Sequence, residues 1–158
     1  MSEQGAVDEK PLMLGWREWV ALPGLGIDRI KAKLDTGARS ATLHAAWLET
    51  YEQAGQLRLR FGVRPRRRRE RVIACDAPVH DRRAVTDSGG HREKRYVIRA
   101  AVRLAGEARE IEITLTNRDT MLFPMLLGRT ALRGWATVDP AASYTLGRPW
   151  RKTRKPRR

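Results

Sequence analysis

The chain has 158 residues, enough for one domain with tails, and an apolar fraction of 41% that allows a real core. The formal net charge is +14, which favours anionic partners. No apolar run is long enough to span a bilayer. The polar N-terminus lacks the apolar stretch of a secretory signal. A lone Cys75 rules out an intramolecular disulfide, so the expectation is a cytoplasmic protein with no membrane contact.

The charge is concentrated. Arg64, Arg66, Arg67, Arg68, Arg69 and Arg71 form one cluster; Arg148, Arg151, Lys152, Arg154, Lys155, Arg157 and Arg158 form another. With those 13 charges set aside, +1 of the +14 remains, so a near-neutral body carries two basic elements. Such elements suit a phosphate backbone, as in RNA or a ribosomal setting, or an acidic peptide; a solvated loop and tail are the plainer reading. Neither cluster contains a Phe or Tyr, although Trp150 borders the second, so a stacking platform for single strands is poorly supported.

In chain order, residues 1–11 read as a disordered N-terminus. Leu14 to Leu22 has strand composition, and Pro23-Gly24-Leu25-Gly26 is a turn. Ile30, Ala32 and Leu34 alternate with Lys31 and Lys33, a half-buried strand ending at Asp35. Ser40 to Leu48 is a strand or a helical turn. Leu57 to Val63 alternates as a strand; the first Arg cluster then makes an exposed loop, and Arg71 to Ala77 returns. Asp87-Ser88-Gly89-Gly90 is a turn. Val97 to Leu104 and Glu110 to Thr116 are strands joined at Gly106. Leu122 to Leu127 is nearly all apolar, and Gly128 to Leu132 opens a short helix. Trp135 to Val138 and Ser143 to Leu146 are candidate closing strands. Residues 149–158 are a basic tail. Many short strands with close turns predict an all-β barrel or sandwich.

Two segments carry chemistry. An alternating strand delivers Asp35 into the turn Thr36-Gly37-Ala38, which holds a carboxylate on rigid backbone. The second segment is Phe123-Pro124-Met125-Leu126-Leu127-Gly128-Arg129. Together with Gly15-Trp16-Arg17-Glu18 and Lys31 to Ser40, the pair resembles the retropepsin-like aspartic endopeptidases, in particular the bacterial branch often labelled "ATP-dependent zinc protease". The resemblance spans roughly residues 12–148. It implies a retropepsin-like closed β-barrel with one short C-terminal helix, acting as a homodimer. It further implies that Asp35 is catalytic and that Thr36, Gly37, Ala38, Leu127, Gly128 and Arg129 support its loop. Thr36 would hydrogen-bond across the dimer, and Arg129 would form an ion pair near the interface. Asp87, Ser88, Gly89 and Gly90 fall where such enzymes carry a flap.

The chemistry explains why one Asp per chain suffices only in a dimer. Water attacks an amide poorly; two carboxylates sharing a proton activate both partners. A twofold axis between two copies of Asp35 makes that pair. The expected activity is hydrolysis of a peptide or protein substrate, acidic or ribosome-associated. Members of this branch are associated with ligases that add glutamate to proteins, which fits an acidic substrate. The competing expectation is an inactive module on the same fold that docks RNA or an acidic partner. No cofactor is expected. There is no phosphate-binding Gly-x-x-x-x-Gly-Lys-Ser/Thr loop. His44, His80 and His91 have no metal-ligand spacing, and the set Cys75, His80 and Asp81 has no recognised one. Cys75 reads as a small strand residue, and Ser88 lacks the partners of a nucleophile.

Overall fold

The computed structural model describes residues 10–65, 71–87, 89–117 and 122–147. The N-terminal nine residues, Arg66 to Arg69, Ser88, Met121 and the basic tail from Arg148 onward lie outside them. The readings made for those segments therefore remain expectations.

Twelve strands and one short α-helix are found among the described residues: β1 Leu12–Gly15, β2 Arg17–Leu22, β3 Ile27–Leu34, β4 Ala41–His44, β5 Trp47–Gln53, β6 Gln56–Val63, β7 Ile73–Pro78, β8 Asp81–Thr86, β9 Arg92–Leu104, β10 Glu107–Thr116, β11 Met125–Leu127, α1 Arg129–Leu132 and β12 Ala136–Asp139. The alternation of Ile30, Ala32 and Leu34 is realised in β3, whose apolar positions are buried and whose lysines are half-exposed. β10 does the same with Ile111, Ile113 and Leu115.

The main sheet runs β10-β4-β11-β3-β2-β9-β8, and β9 also pairs with β10. Six strands thus close a ring of hydrogen-bonded neighbours, with β8 appended to β9. Closure removes two exposed edges that would otherwise invite pairing with other chains. β5, β6 and β7 form a separate three-stranded meander, and β1 pairs in parallel with β12. Leu59, Phe61 and Val63 of β6 and Cys75 of β7 join the ring residues Ile30, Leu43, Ile113 and Leu127 in one apolar core. Ala54-Gly55 and Ala105-Gly106 both take positive φ in the two-residue turns β5–β6 and β9–β10. Two such residues in succession match the right-handed twist of a hairpin.

Several elements differ from the sequence reading. The first strand breaks at Trp16 into β1 and β2. The apolar run from Leu122 forms a strand only over its last three residues, because Pro124 lacks the N–H a ladder needs and Leu122 is 88% exposed. Ser143 to Leu146 is not a strand, since Tyr144 has φ 53. β8 and the start of β9 carry no apolar alternation, and β5 begins where a helical turn was an option. Among the described residues, no helix is long and apolar enough to cross a membrane.

Candidate active site

Asp35 stands where β3 ends against β11. The two strands are parallel, with Leu34 opposite Leu127. The ladder continues one step beyond β3, as the Asp35 N–H donates to the Leu127 carbonyl at 2.9 Å. On the other side, Leu34 N–H donates to the Trp16 carbonyl at 2.8 Å. The backbone that carries the carboxylate is therefore held by two neighbouring segments. Leu34 and Leu127 bury their side chains in the core beneath it.

The loop is tied to the chain that follows β11. Ala38 N–H donates to the Asp35 carbonyl at 3.1 Å, closing the turn. Arg129 N–H donates to the Ala38 carbonyl at 2.8 Å, and Thr130 bonds the Arg39 carbonyl through both its N–H (3.1 Å) and its hydroxyl (2.7 Å). A Cβ on Gly128 would lie 2.5 Å from the Ser40 carbonyl oxygen and 2.9 Å from that of Ala38. Any side chain there would push the second segment off the first. Leu127 and Gly128 thus pack behind the Asp35 loop, as the resemblance implies.

Gly37 and Arg129 both act on the loop within one chain. Gly37 has no left-handed φ, and a Cβ on it would meet Asp35 Oδ1 at 3.4 Å, an ordinary contact. Its demonstrated role is donation of its N–H to Asp35 Oδ1 at 3.1 Å. The Arg129 guanidinium, exposed, donates to the Gly37 carbonyl at 3.2 Å, so within one chain it buttresses the loop. Asp35 is half-buried, Thr36 and Gly37 are exposed, and Asp35 Oδ2 has no partner among the described residues. A rigid, outward-facing carboxylate with an open oxygen can accept a proton or a hydrogen bond from a ligand.

Sequence reasoning missed Glu18. It is fully buried at an inward position of β2. Its Oε2 accepts from Gly15 N–H (2.6 Å), Thr145 N–H (3.1 Å) and the Thr145 hydroxyl (2.6 Å); Oε1 accepts from Leu146 N–H (3.2 Å). This carboxylate latches residues 145–146 against the strand beside β3. The signal was present: an acid at the parity of Leu14 and Val20 must be satisfied internally. Arg17 stacks its guanidinium 4.5 Å from the Trp16 ring and 4.9 Å from the Tyr144 ring, covering the same latch.

Asp87, Gly89 and Gly90 form the turn between β8 and β9. Asp87 Oδ1 accepts from the N–H groups of Gly89 and His91, both at 2.9 Å, and Asp87 N–H donates to the His91 carbonyl. Cys75, His80 and Asp81 do not act as a set. Burial pushes the Cys75 thiol up to about 11, and its Sγ lies 3.5 Å from the Leu25 carbonyl. His80 bonds Glu112 at 3.2 Å, and Asp81 bonds Arg83. Among the described residues no three His, Cys, Asp or Glu side chains come together as metal ligands.

The profile of a family described as "RimB-like: Retropepsin-like aspartic endopeptidase RimB" matches residues 13–149. Proteins named probable alpha-L-glutamate ligase are similar: 40% identity over 142 residues in Shewanella pealeana, covering 89% of this chain and 31% of that protein, and 42% over 139 residues in Parasynechococcus marenigrum, covering 87% and 30%. The chain therefore spans about a third of the length of these curated relatives. A crystal structure of a protein of unknown function (DUF785) from Legionella pneumophila superposes with a TM-score of 0.73 at 31% identity, covering 87% of this chain and 99% of that one. With Asp35, Leu127 and Gly128 assembled in the order and contact described, the chain belongs to the RimB-like family of retropepsin-like aspartic endopeptidases.

Proposed function

We propose that this protein is an aspartic-type peptidase whose active site forms when two copies of the chain bring their Asp35 carboxylates together. The observation that carries this reading is the Asp35 loop: half-buried, tied by backbone to Leu127 and Arg129, and presenting an open Oδ2 beside the exposed Thr36 and Gly37. Exposed loop tips on a rigid base suit a twofold contact, in which Thr36 would bond its counterpart loop. Two carboxylates in that position share one proton, because like charges at hydrogen-bond distance resist double ionisation. The ionised carboxylate takes a proton from water as the water oxygen attacks the peptide carbonyl. The protonated one donates to the carbonyl oxygen as it gains charge. Collapse of the tetrahedral intermediate breaks the C–N bond: the first carboxylate gives its proton to the leaving amine, and the second takes a proton back from the intermediate's hydroxyl, restoring the singly protonated pair.

The substrate class proposed is a glutamate-rich peptide. The two basic clusters support it through charge. The names of the similar proteins support it through chemistry, since a glutamate ligase makes such a peptide. On this reading the protein would act on the products of such ligation. The test is incubation of purified protein with a peptide library, followed by mass spectrometry. The wild-type chain is expected to cleave glutamate-containing members and the Asp35→Asn chain none. Equal behaviour of the two chains, with partner binding lost when residues 149–158 are deleted, would instead identify a non-catalytic docking module for RNA or an acidic protein.

A further inference from the structure

The hairpin of β8 and β9 reaches beyond the ring. β10 follows β9 only as far as the pair Thr114–Val97, whereas β8 stays paired with β9 as far as Thr86–Arg92. Residues 92–96 therefore form an arm, held by β8 on one edge. Two side chains tie the arm to the ring. Glu93 Oε2 accepts from the Thr116 hydroxyl at 2.9 Å and from Arg95 Nε at 2.8 Å. Arg95 Nη1 lies 3.4 Å from the Thr114 hydroxyl, which lies 3.2 Å from the Thr42 hydroxyl.

These residues share a face with Asp35. Thr114 pairs with Thr42, Thr42 with Leu126, and Leu126 with Lys33, two residues before Asp35. Alternation past the inward Leu34 puts Asp35 on the Lys33 side. Three strand spacings separate β3 from β10, roughly 14 Å, or about four residues of extended peptide. A chain lying across this face with its scissile bond at Asp35 thus presents a side chain to the arm, beneath which Thr42 and Thr114 are buried.

Arg95 is 6% exposed, and its guanidinium is under-used. Glu93 occupies Nε and Thr114 makes a long contact with Nη1, while Nη2 has no partner among the described residues. A guanidinium has five donors; Nη2 is not among the buried unpaired atoms, so this edge of Arg95 reaches solvent. Its cross-strand neighbour Arg83 does not compete, being bonded to Asp81 and Glu112. Glu93 fixes the Nε side and leaves the Nη1–Nη2 edge, which matches a carboxylate in two-pronged geometry.

We propose that Arg95, seated over the buried Thr114 and Thr42 hydroxyls, is a specificity-determining residue that receives an acidic side chain of the bound peptide, about four residues from the scissile bond. This rests on the proposed peptidase reading and adds the residue that selects the substrate. Glu93 aims the guanidinium and tempers its charge, so the subsite discriminates a carboxylate from its amide.

The test measures binding apart from turnover. Fluorescence anisotropy of a fluorescein-labelled oligoglutamate peptide and of its oligoglutamine counterpart is recorded on the Asp35→Asn chain, with circular dichroism as the folding check. The expected preference for glutamate is about tenfold or more. Read at high salt, which screens the two basic clusters, adding Arg95→Gln should bring the ratio close to one, and Arg95→Lys should keep part of it. Glu93→Gln should raise affinity for the glutamate peptide, and this arm decides the matter if Arg95→Gln fails to fold. A ratio that survives Arg95→Gln in a folded protein, or that Glu93→Gln leaves unchanged, overturns the proposal. A preference that depends on Arg95 in a protein whose wild-type form cleaves nothing keeps the subsite and removes only the peptidase reading.

Discussion

Two turns in this molecule have nearly the same local chemistry and different surroundings. Asp35-Thr36-Gly37 and Asp87-Ser88-Gly89 each follow a strand, and in each the Asp Oδ1 accepts the N–H two residues on, at 3.1 and 2.9 Å. At Asp87 the same oxygen also accepts from His91 N–H, and the His91 ring lies 3.5 Å away. That carboxylate is spent on its own hairpin. At Asp35 the loop is secured by Leu127, Arg129 and the glycine at 128, so Oδ2 stays open. The open carboxylate oxygen here comes from a second segment doing the structural work, not from the triplet itself.

The comparison yields a ranked set of outcomes. Asp35→Asn is expected to lower peptide hydrolysis by at least about 10³-fold with an unchanged thermal midpoint, whereas Asp87→Asn should leave kcat within a few-fold. Gly128→Ala drives a methyl into the Ser40 and Ala38 carbonyls and should cost about 2–4 kcal/mol in denaturant unfolding, removing activity by displacing the loop. Glu18→Gln places a donor among N–H groups that need an acceptor. A loss of about 2–3 kcal/mol is expected, with faster hydrogen exchange at Thr145 and Leu146.

The smallest effect concerns pH. The Tyr51 hydroxyl and the Arg58 guanidinium hold Asp76 below the usual carboxylate range, and Arg83 does the same for Asp81 and Glu112. Their folded values are depressed, so they add stability above the ordinary carboxylate value of about 4 and lose it as pH falls through and below that value. These groups are largely exposed and screened, so the thermal midpoint should drop by only a few degrees on this account. Tyr51→Phe should shrink that drop; an unchanged acid limb would remove Asp76 from the explanation.

Legibility in the sequence followed the apolar pattern. β3 and β10 were readable because Ile30, Ala32, Leu34 and Ile111, Ile113, Leu115 alternate into the core. β8 and residues 92–96 of β9 were not, since Asp81, Arg83, Glu93 and Arg95 carry no apolar alternation and are ordered by ion pairs, Asp81–Arg83 and Glu93–Arg95 along their own strands and Arg83–Glu112 to β10. No single-strand period encodes such partners. The same holds at the site. Asp35, Leu127 and Gly128 were visible as motif, and the structure brings them into contact. Glu18 was hidden because three of its four hydrogen bonds come from about 127 residues away in sequence, in a segment that reads as a strand and forms a turn instead. The sterically demanding glycine at the site is 128, where a Cβ would lie 2.5 Å from the Ser40 carbonyl oxygen.

The account's central claim is that catalysis needs one Asp35 from each of two chains. Wild-type and Asp35→Asn chains, unfolded together and refolded at a 1:1 ratio, measure it through hydrolysis of a glutamate-containing peptide at fixed total protein. A site shared by two copies predicts residual activity of about one quarter, because only dimers with two wild-type chains work. A residue of about one half would mean that each chain acts alone, and would contradict the claim.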